Sequence, residues 1–165
     1  MKIHFKKLSS TAITPKKANY NDAGFDLYAD EDVTLAYGET KAVATNIALE
    51  LPDGYMADVR PRSGLTRDTA LRVHYGTVDA GYRGGIGIIC ENADHHTNSF
   101  NVSEGFLQVR LPEIIGVEIE TDIEIKRGDK IAQLVIQKIP DIELIEADEL
   151  NDTVRGVGGF GSTGK

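Results

Sequence analysis

The 165 residues carry 18 Lys plus Arg against 26 Asp plus Glu, a net charge of −8 at pH 7. The length suits one domain that buries its own core without metal or disulfide staples, and the acidic balance argues against tracking nucleic-acid backbones, which needs a basic surface. Cys90 is the only cysteine, so an internal disulfide is excluded, and no apolar run reaches membrane-spanning length or resembles a secretory leader. The expectation is a cytoplasmic protein with neither nucleic acid nor membrane as partner.

Strand signals dominate the chain, in alternating or β-branched runs separated by Gly, Asp, Asn or Pro. Residues 3–8 form the first run. Residues 23–29 follow, placing Asp26 inside an apolar strand where a carboxylate must find partners. Further strands are predicted at 33–35, 43–51 and 55–59, with Pro52-Asp53-Gly54 turning between the last two. Residues 64–70 make the one short helix, with Ser63 as its N-cap. Strands at 86–90, 106–111 and 117–125 come next, the last with Glu118, Glu120, Asp122 and Glu124 on a wet face. The polar stretch between 92 and 103 reads as a surface excursion. Arg127-Gly128-Asp129 turns the chain into strands at 131–139 and 142–145. Beyond about residue 148 few apolar side chains remain to anchor the chain, so this arm is expected to be flexible. Many short strands with frequent turns predict an all-β barrel or jelly-roll with at most one short helix.

Three segments carry candidate chemistry. The C-terminal Arg155-Gly156-Val157-Gly158-Gly159-Phe160-Gly161-Ser162-Thr163-Gly164-Lys165 ends in the pattern of a phosphate-binding P-loop, yet no strand-loop-helix context accompanies it. What it offers is backbone donors, two hydroxyls, a guanidinium and one ring, which suit a ligand with a flat base and phosphates. Gly76-Thr77-Val78-Asp79-Ala80-Gly81-Tyr82-Arg83-Gly84-Gly85 is the second. Its glycines permit close approach of another molecule, Asp79 can deprotonate a water, and Tyr82 offers a flat face. An ordinary hairpin with a turn Asp explains the same residues equally well. Arg60-Pro61-Arg62-Ser63-Gly64-Leu65 is the third, read either as an anion site at a helix start or as a plain cap with surface arginines. His95 and His96 beside Asp94 lack a matching ligand cluster, so a solvated loop is the better reading than a metal centre.

Taken in order, these segments resemble the five motifs of the homotrimeric dUTP pyrophosphatases (dUTPases). Residues 23–29 are similar to motif one, 61–65 to motif two, 76–84 to motif three, 127–134 (Arg-Gly-Asp-Lys-Ile-Ala-Gln-Leu) to motif four and 155–164 to motif five. The resemblance implies a jelly-roll-like distorted barrel of the β-clip type over residues 1–148, and a C-terminal arm, 149–165, that closes the active site of a neighbouring subunit in a homotrimer. It implies hydrolysis of dUTP to dUMP and pyrophosphate by water attack on the α-phosphorus, which limits uracil in DNA and supplies dUMP for thymidylate synthesis. Mg2+ would be held by the substrate phosphates and water, with no protein ligands. Asp79 would activate the water and Tyr82 would pack on the deoxyribose, leaving no room for a 2′-hydroxyl. The main chain from Val73 through Gly76, Thr77 and Val78 would read the uracil edge. Arg62, Ser63 and Gly64 would contact phosphates, and Gln133 would reach the phosphate region. Phe160 would stack on uracil, Arg155, Gly161, Ser162 and Thr163 would grip the β- and γ-phosphates, and Asp26 would support the site from behind.

Two departures stand out. Gly81 occupies a position where many members of that family carry a second Asp, which is not the proposed base. Residues 92–116 exceed the compact family core and would form an added loop or hairpin, either contacting a protein partner or inserted passively. Two rivals remain. The related dCTP deaminases place a catalytic Glu ten residues after the motif-three Asp, where this chain has the apolar Ile89, with Glu91 two residues on. A non-catalytic nucleotide-binding module is the other, opposed by the intact Asp79 and tail.

Overall fold

The computed structural model describes residues 1–93 and 122–159. The predicted strand at 106–111, the start of the one at 117–125 and nearly all of the 92–116 insertion lie outside them, as do Phe160, Gly161, Ser162 and Thr163. In chain order the elements are β1 (His4–Lys7), β2 (Gly24–Tyr28), β3 (Val33–Leu35), β4 (Thr40–Ala44), β5 (Ile47–Glu50), β6 (Tyr55–Pro61), α1 (Ser63–Asp68), β7 (Leu71–Val73), β8 (Gly76–Val78), β9 (Gly87–Asn92), β10 (Ile123–Ile125) and β11 (Lys130–Lys138). Among the described residues the fold is therefore all-β with one short helix, as the turn-punctuated strand signals predict.

The strands form antiparallel ladders ordered β1-β5, β10-β3, β2-β11-β6-β8 and β4-β9-β7, and none of these sheets closes into a complete barrel. All four contribute to one core, which includes Leu49 from the first, Leu35 and Ile125 from the second, Leu27, Val59 and Leu134 from the third, and Val43, Ile88 and Leu71 from the fourth. Cys90 is fully buried on β9, and burial pushes its thiol up to about 11, so it packs as an apolar group.

Three predicted elements come out differently. The run 43–51 is two strands, because Asn46 adopts φ +50 and the Thr45 hydroxyl donates to the Ile86 carbonyl at 2.7 Å, breaking the ladder. Helix α1 starts one residue earlier than expected. Arg62, at φ −96 and ψ 127, occupies the N-cap position, Ser63 is the first helical residue, and no side chain caps the helix. Residues 142–145 form no strand in this chain, and Ile142, Leu144 and Ile145 are exposed. Alternation encodes a strand only where a partner strand is present. The two predicted turns hold: Gly54 has φ +76 with Tyr55 N–H donating to the Pro52 carbonyl, and Gly128 has φ +94 with Asp129 N–H donating to the Lys126 carbonyl.

Strand β11 is the spine of the largest sheet, between β2 and β6. Its pairing with β2 slips between Lys130 and Ala132, so Ile131 is an extra residue. The bulge lets Ile131 and Ala132 both face the core and leaves Lys130 turned toward β2 beside Asp26.

Candidate active site

The register of the central sheet places motif residues together. Gln133 on β11 lies opposite Asp26 on β2 and Arg60 on β6, so the three share a face. The Asp26 carboxylate sits between two cations, Arg62 Nε at 3.3 Å and Lys130 Nζ at 3.0 Å, while Arg62 Nη1 donates to the Lys130 carbonyl at 2.9 Å. Asp26 thus aims the guanidinium rather than facing a ligand. Gln133 Nε2 donates to the Pro61 carbonyl at 3.0 Å, which fixes the backbone directly ahead of Arg62 and Ser63. Gly24, one strand over, supplies the space: a Cβ there would lie 2.5 Å from Gln133 Oε1 and 3.1 Å from its Cβ. Ser63 and Gly64 are exposed in the first turn of α1, where the amides have no intrahelical partner.

Lys130 was not among the sequence candidates. Its signal was a cation adjoining a predicted turn, which ordinarily means a solvated surface side chain. Arg60 turns out to be engaged elsewhere, with Nη2 2.7 Å from an Asp58 carboxylate oxygen that also accepts from Gln137 Nε2.

The second cluster surrounds a cavity of about 220 Å³ lined by Val59, Gly76, Thr77, Val78, Asp79, Tyr82, Gly85, Ile86 and Gly87. Strand β8 is an edge strand, paired only with β6 in its sheet. Alternate amides and carbonyls of Gly76, Thr77 and Val78 therefore face outward from the ladder, free to pair with a planar ligand. Val73 is buried on β7 opposite Cys90, and the next residue donates its N–H to the Ile89 carbonyl at 2.9 Å. Asp79 is exposed, and among the described residues its carboxylate accepts no hydrogen bond. Its carbonyl accepts from Tyr82 N–H at 3.1 Å, closing a turn that sets Asp79 and Tyr82 side by side. Ile89, at the deaminase position, is half-exposed on β9, and Glu91 is held by His74 Nε2 at 2.8 Å.

The two clusters do not meet within one chain. Val78 pairs with Ala57, which puts Asp79 level with Met56, whereas Arg62 lies six residues further on, directly after the end of β6. At a rise of about 3.3 Å per residue that separation is roughly 20 Å. Arg155 is exposed, with its Nε donating to the Gly158 carbonyl at 2.9 Å inside its own turn, so it joins neither cluster. Among the described residues no three His, Cys, Asp or Glu side chains converge as metal ligands, and no helix is long and apolar enough to cross a membrane.

Residues 10–109 and 114–164 match the dUTPase family. The chain is 43% identical to a deoxyuridine 5′-triphosphate nucleotidohydrolase of Gloeothece citriformis, over 99% of this chain and 97% of that one. The structure is similar to that of the Staphylococcus bacteriophage 80alpha dUTPase with dUPNHPP, at a TM-score of 0.80 and 30% identity, covering 99% of each chain. It is also similar to a mutant dUTPase from phage phi11 of S. aureus, described for its coordination of a structural Mg(II) ion, at a TM-score of 0.73 and 30% identity over 90% of this chain and 98% of that one. A match that spans the motifs at both ends of β6, at this identity and coverage, makes the chain a member of the dUTPase family.

Proposed function

We infer that the chain hydrolyses dUTP to dUMP and pyrophosphate by attack of water on the α-phosphorus, at sites assembled between the subunits of a cytoplasmic homotrimer. The observation that carries the shared site is the register that pairs Val78 with Ala57 and leaves Arg62 beyond the far end of β6, a separation of roughly 20 Å by strand rise. A water activated by one must attack a phosphorus held by the other, and a second copy of the chain supplies the missing half. The exposed Ile142, Leu144 and Ile145, and an apolar groove of about 360 Å³ lined by residues including Ile3, Phe5, Phe25 and Ile136, also suit burial against another copy.

In this reading Asp79 accepts a proton from the attacking water; its exposed carboxylate, which accepts no hydrogen bond among the described residues, suits that task. The outward main chain of β8 reads the uracil edge, and Tyr82 packs on the deoxyribose. Arg62, held by Asp26 and the Lys130 carbonyl, meets the phosphates with Ser63 and Gly64, and Gln133 acts on the same region through Pro61. Preorganised donors of this kind stabilise charge as it develops on phosphate oxygens. The tail residues Arg155, Phe160, Gly161, Ser162 and Thr163 close the site and exclude water. Mg2+ is taken to arrive on the triphosphate; bound there it would neutralise charge and polarise the leaving group.

Pyrophosphate release from dUTP with Mg2+, set beside ammonia release from dCTP, tests the activity: ammonia from dCTP would favour the deaminase, and binding without turnover the non-catalytic module. Solution mass with and without the last ten or so residues tests the assembly. A trimer that persists while turnover vanishes assigns the tail to closure, and a monomer refutes the shared site. Residues 92–116 are read as a passive insertion, with contact to a protein partner as the alternative; deletion that abolishes both trimer mass and turnover would show that the segment belongs to the core.

A further inference from the structure

We propose that Gly84 and the carbonyl of Gly85 form a rigid seat for the Tyr82 ring, and that this seat, rather than the ring alone, sets the preference for a 2′-deoxyribose. The proposal rests on the assignment of Tyr82 to the sugar. The Tyr82 hydroxyl donates to the Gly85 carbonyl at 3.0 Å, so the side chain folds back over its own following residues. That path crosses Gly84. A Cβ on Gly84 would lie 2.3 Å from Tyr82 Oη, 2.5 Å from Cζ and 3.0 Å from Cε2. The ring therefore rests directly on the Gly84 backbone, a contact that only a residue without a side chain permits.

The base of the seat is itself tied down. Tyr82 N–H donates to the Asp79 carbonyl, and the Arg83 guanidinium donates to the carbonyls of Ala80 and Tyr82, which braces the turn that carries the ring. A Cβ on Gly85 would meet Leu8 Cδ1 at 3.1 Å, so the accepting carbonyl is backed by the N-terminal segment. The ring lines the cavity beside Asp79, and the side chain remains half-exposed.

Stiffness is what this geometry contributes to selectivity. An aromatic face against a sugar rejects an added hydroxyl only if the ring cannot retreat and the hydroxyl finds no partner. A ring able to swing by an ångström or so would admit a ribose at small cost. Pinned from below by Gly84 and at its tip by Gly85, the ring cannot retreat, and its own hydroxyl proton is already engaged. A ribonucleotide then leaves its 2′-hydroxyl buried and unpaired, the kind of mismatch on which discrimination of about a hundredfold can rest.

The test is kcat/KM for dUTP and for UTP in the wild type, Gly84→Ala and Tyr82→Phe, with Tm as a check on folding. Gly84→Ala is expected to lower the dUTP/UTP preference by about tenfold or more. Tyr82→Phe, which keeps the ring and removes its tether, should lower it by less. A folded Gly84→Ala protein with the wild-type preference overturns the proposal, as does one that loses dUTP and UTP turnover in equal proportion. Should Gly84→Ala fail to fold, Tyr82→Phe decides, and an unaltered preference there overturns the seat. A wild type that does not hydrolyse dUTP refutes the assigned activity instead, and a preference that survives even Tyr82→Ala refutes the assignment of the ring to the sugar.

Discussion

A general base must be reachable by water and keep its lone pairs free, and Asp79 is exposed with no hydrogen bond to its carboxylate among the described residues. Asp79→Asn preserves the shape of the turn while removing the basic oxygen. Turnover should fall by about 10²–10⁴-fold with binding of a non-hydrolysable dUTP analogue retained; near-normal turnover would remove Asp79 from the role. Asp30 shows the opposite treatment of the same chemical group. It is 5% exposed, and one oxygen accepts from Ser9 Oγ and from Asn46 Nδ2 at 2.7 Å. The Ser9 hydrogen bond, helped by those from Asn46 and Thr11 and by the Arg127 charge, holds its carboxyl below the usual range against the opposing effect of burial. A depressed pKa in the folded state means stability that is present above the unfolded value and lost as pH falls through the folded one. Asp30→Asn should therefore cost about 1–3 kcal/mol at neutral pH by urea denaturation. The difference from wild type should shrink as pH drops below about 3.9; a constant difference across that range would show that charge is not the cause.

At the scale of elements, the bulged β11 and its neighbour β2 place the residues proposed to meet phosphate. The Gln133 side chain occupies the space that Gly24 leaves empty and reaches the Pro61 carbonyl on the far strand. Gly24→Ala should displace that side chain, costing about 1–3 kcal/mol of stability, and should raise KM for dUTP more than it lowers kcat, because the Arg62–Ser63 backbone loses its brace. Steady-state kinetics beside thermal melts checks this, and an unchanged KM would detach Gln133 from phosphate binding. Much of this was legible in the chain. Val33–Leu35 is a strand with the bounds its β-branched pattern suggests, and the turns at Gly54 and Gly128 follow from residues that tolerate positive φ. The strand break at Asn46 was not legible, because it depends on a Thr45 hydroxyl finding Ile86 from 41 residues away. Nor was the role of Lys130, which a bulge turns toward Asp26. Local pattern encodes backbone conformation, whereas these features follow from register between distant strands.

At the scale of the whole molecule, the placement of Asp79 and Arg62 near opposite ends of β6 allows a test that no single-chain site would pass. If each site takes Asp79 from one subunit and Arg62 from another, Asp79→Asn and Arg62→Ala proteins are each inactive for different reasons. Subunits exchanged between them, by unfolding and refolding an equimolar mixture, regenerate some sites in which both residues are intact. In a cyclic trimer every mixed assembly contains one such site, so random reassortment should restore about a quarter of wild-type turnover. Simple mixing without exchange should restore none, which controls for contamination. A site contained within one chain would give no recovery under either condition, because every chain in the mixture carries one lesion. The same logic extends to the exposed apolar stretch at Ile142, Leu144 and Ile145. If that stretch is buried against another copy, Leu144→Asp should weaken assembly at low protein concentration, and turnover should fall in step with the loss of trimer mass. Turnover that tracks assembly would show that the catalytic unit is the oligomer, whereas full activity in a Leu144→Asp monomer would return both halves of the site to a single chain.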